Sequence, residues 1–518
     1  MNASWLQGAV FYQIYPQSFR DANGDGIGDF NGIIEKLDYI RDLGCTALWI
    51  NPCFDSPFKD AGYDVRDYKK AAPRYGTNED LCRLFDEAHR RGLRVLLDLV
   101  PGHTSEEHPW FRESQRAEKN AYTNRFIWTG HCFQRPEGMN YVAGESQRSG
   151  CYVLNFFKCQ PALNYGFLHP QADWQLPPDH PDCLATGGVI RDIMAFWLER
   201  GCDGFRVDMA FSLVKGDDEN FSGTKALWHR LRADMDRDYP EAVLISEWGD
   251  PRHAIEAGFD ADFYLHDAGN GMGSLLRDYQ CHGDGCPGGE DHSFFKKDGQ
   301  GDITRFLDEY IPWYEATRGK GYISLQTGTH DTHRPRYSLD PEELKLAYAF
   351  LFTMPGVPFL YYGDEIGMRW LDLPTKEGGY YRTGSRTPMQ WDRSRNLGFS
   401  QGSAEDLYLP VDPAPDAPVV SEQAADPDSL LNTLRRILRL RREEPALRDN
   451  GNFEVVFAQR GRPFVYRRGP LTLAVNPADH PAAAPVDLGA ATSLFSLGES
   501  RRQEGELAMG PQSFLVLA

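Results

Sequence analysis

Residues 31–52 read NGIIEKLDYIRDLGCTALWINP. Ile33, Ile34, Leu37, Ile40 and Leu43 recur at the spacing of one helix face, and Gly44 is the residue type that ends such a helix. The following CTALWINP is a short apolar run closed by Pro52, which reads as a buried strand. A helix that feeds straight into a buried strand is half of a βαβ unit.

The same rhythm extends outward in both directions. AVFYQIYP (9–16) is β-rich, TNEDLCRLFDEAHRRG (77–92) is a helix with Thr77 or Asn78 as its N-cap and Gly92 as its C-cap, and LRVLLDLVP (93–101) is a strand. Beyond Pro101 the alternation stops. Residues 102–174 are rich in aromatics, Gly and Asn without a period, too long for an ordinary loop, and are expected to form a small inserted domain. The alternation then resumes with CDGFRVD (202–208), AVLISEW (242–248), ADFYL (261–265), YISLQT (322–327) and VPFLYYG (357–363), separated by helical segments. Strands near residues 10, 47, 96, 205, 245, 263, 323 and 359 predict an α/β fold, a (β/α)8 TIM barrel, over 1–101 and 175–447. Short strands with turn residues predict a C-terminal all-β sandwich over 448–518.

The chain carries 75 acidic and 55 basic residues, a net charge of −20. No basic stripe is offered to phosphates, so a nucleic-acid partner is not expected. No apolar run approaches about 18 residues, so no membrane span is expected. MNASWLQGAVFYQIY lacks the basic and apolar regions of a signal peptide. The ten cysteines are scattered and form no CxxC pair, which argues for reduced thiols in a cytoplasmic protein and against a zinc site.

In a barrel of this kind functional side chains sit at the C-terminal ends of strands. Those ends supply Asp98 and His103, Arg206 and Asp208, Glu247, and His330 with Asp331. Arg206 and Asp208 are two residues apart, so they point to one side of their strand. Asp208, Glu247 and Asp331 would be three carboxylates around one cavity, where like charges push pKa values apart. That separation is what glycoside hydrolysis needs: one ionised nucleophile and one protonated acid. Arg206 would keep Asp208 ionised.

The motifs DLVPGHTS, GFRVDMA, ISEW and THD, in this order, resemble glycoside hydrolase family 13, the α-amylase family, and the resemblance covers essentially the whole chain. GYDVRDY (62–68), GVPFLYYGDEIGM (356–368) and RTPMQWD (386–392) resemble its branch of oligosaccharide α-glucosidases, oligo-1,6-glucosidases, trehalose synthases and sucrose isomerases. The resemblance implies Asp208 as nucleophile, Glu247 as general acid/base and Asp331 as the group that binds sugar hydroxyls and distorts the ring. It implies His103 and His330 on hydroxyls of the bound sugar, Asp64 and Arg382 at its far end, Tyr63 stacked on it, and Arg206 positioning Asp208. The implied reaction retains anomeric configuration, with the two carboxyls about 5–5.5 Å apart. The partner is a small carbohydrate, and oligomeric state is not written in these residues.

Gly102 stands where the family usually has Asn, Thr329 replaces the Asn of the strand-7 motif, Ala162 replaces Asp in QPALN, and Met209 follows the nucleophile. The first of these removes a calcium ligand found in many α-amylases. Together they leave open a hydrolase of short α-glucosides or a transferase or isomerase such as a trehalose synthase or a sucrose-acting enzyme. The carboxylates argue against a non-catalytic binding subunit, and the pocket motifs against an endo-amylase. Trp248 could line the neighbouring subsite or simply pack. His333, Arg334 and Arg336 read as solvated loop charges, and His108, His131 and His282 as surface histidines.

DANGDGIGDFNG (21–32) has the alternating oxygens of an EF-hand loop. It lacks the Glu at position twelve, which is Gly32, and a strand precedes it, so an EF-hand is excluded. The oxygens of Asp21, Asn23, Asp25 and Asp29 with the Ile27 carbonyl can still enclose a hard cation. The string resembles a calcium loop of the oligo-1,6-glucosidase branch, so one structural Ca²⁺ is expected.

Overall fold

The computed structural model describes residues 3–267, 269–279, 290–378, 382–489, 491–503 and 505–518. Cys281, His282 and Cys286 lie outside them. Eight parallel strands run in chain order as β1 (Phe11–Ile14), β2 (Ala47–Ile50), β3 (Arg94–Leu99), β4 (Gly204–Val207), β5 (Val243–Ser246), β6 (Ala261–Phe263), β7 (Tyr322–Ser324) and β8 (Phe359–Tyr361). They form one sheet in the order β7-β6-β5-β4-β3-β2-β1-β8, and a parallel bridge from Gln326 to Phe359 brings β7 against β8. This is the (β/α)8 barrel that the eight strand signals predict. Its strands are buried almost throughout, as expected when helices cover one face and a packed interior the other.

The chain packs as two compact units. One comprises Met1–Ser4, Trp49–His89 and Arg94–Asp262, the other Trp5–Leu48, Arg90–Leu93 and Phe263–Ala518.

In the first unit, α-helix Asn78–Arg90 buries Leu81, Leu84, Phe85 and Ala88, one stripe at helical spacing. The Thr77 hydroxyl accepts the Asp80 N–H at 3.2 Å, which settles the cap on Thr77. Residues 102–174 carry a short antiparallel pair, Tyr141–Ala143 with Cys151–Val153. Ile127, Val153, Ala162 and Phe167 form a small core of their own.

In the second unit, the segment that opened the sequence reading is two helices rather than one. Phe30–Glu35 and Leu37–Leu43 meet at Lys36, whose ψ of 4° breaks the helical path. Gly44 ends the second helix at φ 111°, a conformation that only glycine adopts without strain. After α-helix Leu430–Glu443 come a five-stranded antiparallel sheet built from residues 453–517 and a three-stranded one. They enclose Val465, Ala474, Leu507 and Leu515.

Candidate active site

The first unit gathers charge where β3, β4 and β5 end. Asp98 lies opposite Arg206 in the β3–β4 register, and the ladder continues past the strands through Asp208 N to the Leu99 carbonyl and Glu247 N to the Val207 carbonyl, both 2.9 Å. Strand pairing therefore sets the backbone from which all four side chains project. Met209 turns the chain sharply at φ 40°, a left-handed conformation costly for a side-chain-bearing residue. Its N–H donates to Glu247 Oε2 at 3.0 Å.

Arg206 is buried and touches three carboxylates: Asp98 at 2.9 Å, Asp208 at 3.1 Å and Glu247 at 2.7 Å. Burial works against its charge, and Asp98 first, then Glu247, outweigh that cost. Asp98 also accepts the Trp49 indole N–H at 3.0 Å and the Tyr63 hydroxyl at 3.1 Å. Burial pushes Asp98 up to about 6 against the pull of Arg206.

Asp208 and Glu247 are both held by Arg206. Burial, followed by the charge of Glu247, pushes Asp208 well above the carboxylate range, and Arg206 opposes this only in part. The sequence suggests that Arg206 holds Asp208 ionised; in the fold Arg206 does pull Asp208 toward the charged form, but burial outweighs it.

Tyr63 is buried with its hydroxyl engaged by Asp98 and, at 3.3 Å, by Arg206. Asp64 is fully buried, and its carboxylate accepts the Ser56 hydroxyl and the Lys59 and Asp60 N–H groups, each at 3.0 Å. Burial raises it to about 6. It thus organises its own loop, which Gln160 fastens through Asp60 at 2.7 Å. His103 is buried, with Nε2 3.1 Å from the Tyr63 carbonyl. Trp248 is packed against Phe221, and Asp262 accepts its backbone N–H at 2.9 Å.

The second unit holds the rest. His330 and Asp331 follow β7, with His330 Nε2 3.2 Å from Asp331 Oδ2 and His330 Nδ1 3.1 Å from Gln13 Nε2. Arg382 at 2.8 Å and Arg386 at 2.9 Å both bind Asp331 Oδ1. The Thr329 hydroxyl accepts the Asp331 N–H at 3.1 Å. Gln13 and Arg386 escaped the sequence reading. Arg386 opens RTPMQWD, which marked it, whereas nothing local marks Gln13 or, in the first unit, Trp49.

Two readings of minor residues are corrected. Arg334 is no solvated loop charge: it is fully buried, paired with Asp364 at 2.9 Å and bonded to the Tyr362 carbonyl, while His333 is buried among Tyr279, Tyr337 and Trp370. His108 is no surface histidine: it is buried and caps helix Pro109–Ser114 through Nδ1. In both cases tertiary packing encloses a residue whose sequence neighbours look like loop.

In the acidic loop, Asp21 accepts Gly24 N at 2.6 Å, Gly26 N at 2.8 Å and the Ser400 hydroxyl at 2.6 Å. Asp29 accepts the N–H groups of Ala22, Asn23 and Gly32, and so caps helix Phe30–Glu35. Asn23 and Asp25 are exposed. The all-oxygen donor set suits a hard cation. Among the described residues, however, no three acidic, His or Cys side chains gather as a metal cage. All eight described cysteines are free thiols, and no described helix is long and apolar enough to cross a membrane.

Residues 13–450 match the alpha-amylase catalytic domain family. The trehalose synthase/amylase TreS of Mycolicibacterium smegmatis is 33% identical over 506 residues, covering 86% of this chain and 77% of its own. The oligo-1,6-glucosidase of Parageobacillus thermoglucosidasius is 31% identical over 525 residues, covering 90% and 88%. Among solved structures, the trehalulose synthase MutB of Pseudomonas mesoacidophila superposes with a TM-score of 0.82 at 24% identity, covering 99% of both chains. With this barrel, these strand-end carboxylates and these relatives, the chain belongs to the α-amylase family of carbohydrate-active enzymes.

Proposed function

We propose that this protein is an exo-acting, retaining α-glucosidase of disaccharides and short oligosaccharides. The observation that carries the proposal is the pair of strand-end carboxyls, Asp208 and Glu247, bridged by the buried Arg206. Glu247 gives the proton to the glycosidic oxygen while an Asp208 oxygen attacks C1, forming a β-glucosyl ester and releasing the leaving sugar. Glu247 then takes a proton from water, which attacks C1 and frees Asp208 with configuration retained. Asp331, held by Arg382 and Arg386, is proposed to bind sugar hydroxyls, as are His330, His103, Tyr63 and Asp64.

A transferase or isomerase reading is favoured by one observation, the 33% identity to a trehalose synthase/amylase. The two chemistries share the glucosyl ester and differ only in the acceptor. Incubation with maltose, isomaltose, sucrose and trehalose, with every product identified, separates them. Free glucose as the main product supports hydrolysis. Conversion of maltose to trehalose, or of sucrose to an isomer, with little free glucose overturns it.

The oxygens of Asp21, Asn23, Asp25, Ile27 and Asp29 are proposed to hold one structural Ca²⁺, which would pin the loop after β1 and take no part in hydrolysis. The free thiols support a reducing, cytoplasmic location.

A further inference from the structure

Gly102 precedes His103, and a side chain there would collide with Asn155: a Cβ on Gly102 would lie 2.6 Å from Asn155 Nδ2. The bare backbone leaves room for the Asn155 amide, whose Nδ2 is 3.1 Å from His103 Nδ1. Behind the amide stands Lys215, with Nζ 3.1 Å from Asn155 Oδ1 and bonded also to the Ser212 carbonyl.

These partners leave one arrangement of protons. An ammonium only donates, so Lys215 fixes Oδ1 of Asn155 toward itself and Nδ2 toward the histidine. The amide N–H only donates, so His103 Nδ1 accepts and the ring proton sits on Nε2, facing the Tyr63 carbonyl at 3.1 Å. Both sides of the ring therefore demand the same neutral tautomer. Burial, with the charge of Lys215 adding to it, holds the imidazole down at about 3. Lys215 itself is drawn down to about 8 by desolvation.

We propose that Asn155, locked by Lys215, is a positioning residue that keeps His103 neutral, its ring clamped between the Asn155 amide and the Tyr63 carbonyl, so that it presents one fixed edge to the bound sugar. This rests on the reading above that His103 contacts the bound sugar.

The test measures kcat/KM against pH for the full chain and for N155A, N155D, K215M and H103A, with 4-nitrophenyl α-D-glucopyranoside as probe and melting curves to verify folding. N155A and K215M are expected to lose up to about tenfold in kcat/KM, the scale of one hydrogen bond, chiefly through KM. N155D places a carboxylate against Nδ1 and stabilises the imidazolium. It is expected to add a histidine ionisation near the ordinary range, about 6.5, to the acid limb that the site carboxyls already give the parent, steepening that limb. If H103A loses at least about a hundredfold while the N155D profile keeps the parent shape, the positioning role is overturned and the His103 reading stands. If H103A retains parental kcat/KM, the reading beneath it fails. Should N155D not fold, K215M with a parental KM overturns the proposal.

Discussion

The Arg206 guanidinium lies closer to Glu247, at 2.7 Å, than to Asp208, at 3.1 Å. One cation thus serves both proposed catalytic carboxyls. Burial, followed by the charge of Glu247, raises Asp208, and Arg206 opposes this.

Asp208→Asn and Glu247→Gln each remove one of the two proposed catalytic carboxyls and preserve shape. Each is expected to lower kcat/KM by about 10⁴-fold, with melting temperature changed by only a few degrees. Turnover near the parental rate in either variant, measured on maltose and isomaltose, removes these residues from their proposed roles.

Arg206→Lys keeps a charge but not the planar fork that reaches Asp98, Asp208 and Glu247 together. kcat is expected to fall about 10²–10³-fold, the cost of one preorganised charge-stabilising group. Steady-state kinetics that move KM alone would make Arg206 a structural strut.

The acidic loop yields a stability test. Added Ca²⁺ is expected to raise the melting temperature of chelator-treated protein, and Asp25→Ala to abolish that rise, since anything bound only by the folded state stabilises it. Identical melting curves with Ca²⁺ and with chelator would leave the loop as a hydrogen-bonded turn and Asp29 as a helix cap.

Glu365 gives a pH dependence with a definite sign. It is fully buried; Oε1 accepts the Tyr12 hydroxyl at 2.7 Å and the Tyr39 hydroxyl at 2.8 Å, and burial raises the group to about 7. Unfolded, it titrates near 4.3. Between these values the folded chain holds a proton that the unfolded chain has released, so its contribution is full below about 4.3 and is lost as pH rises toward 7. Asp64 and Asp98, both raised to about 6, act in the same direction. The Glu365 contribution should therefore fall from pH 5 to 7.5, against the opposite contribution of buried neutral histidines such as His103, and the Glu365→Gln minus parent difference in melting temperature should rise over that range. An unchanged slope in that variant would show that Glu365 is already ionised in the fold.

The sequence by itself determined the barrel, because helical and strand periods are local and alternate visibly from AVFYQIYP to VPFLYYG. It also determined the candidate carboxylates, because strand ends are where a barrel presents function. Only the tertiary structure decided how those groups are partnered. GYDVRDY marks Asp64, but only the fold shows that its carboxylate accepts from donors of residues 56–60. Arg334 looks like a loop charge, yet it is a buried ion pair with Asp364. Asn155 carries no signal in its own neighbourhood and acquires its contact with His103 only because Gly102, 53 positions away, has no side chain. Such pairings depend on burial and on hydrogen bonds between residues distant in sequence, and no local period encodes either.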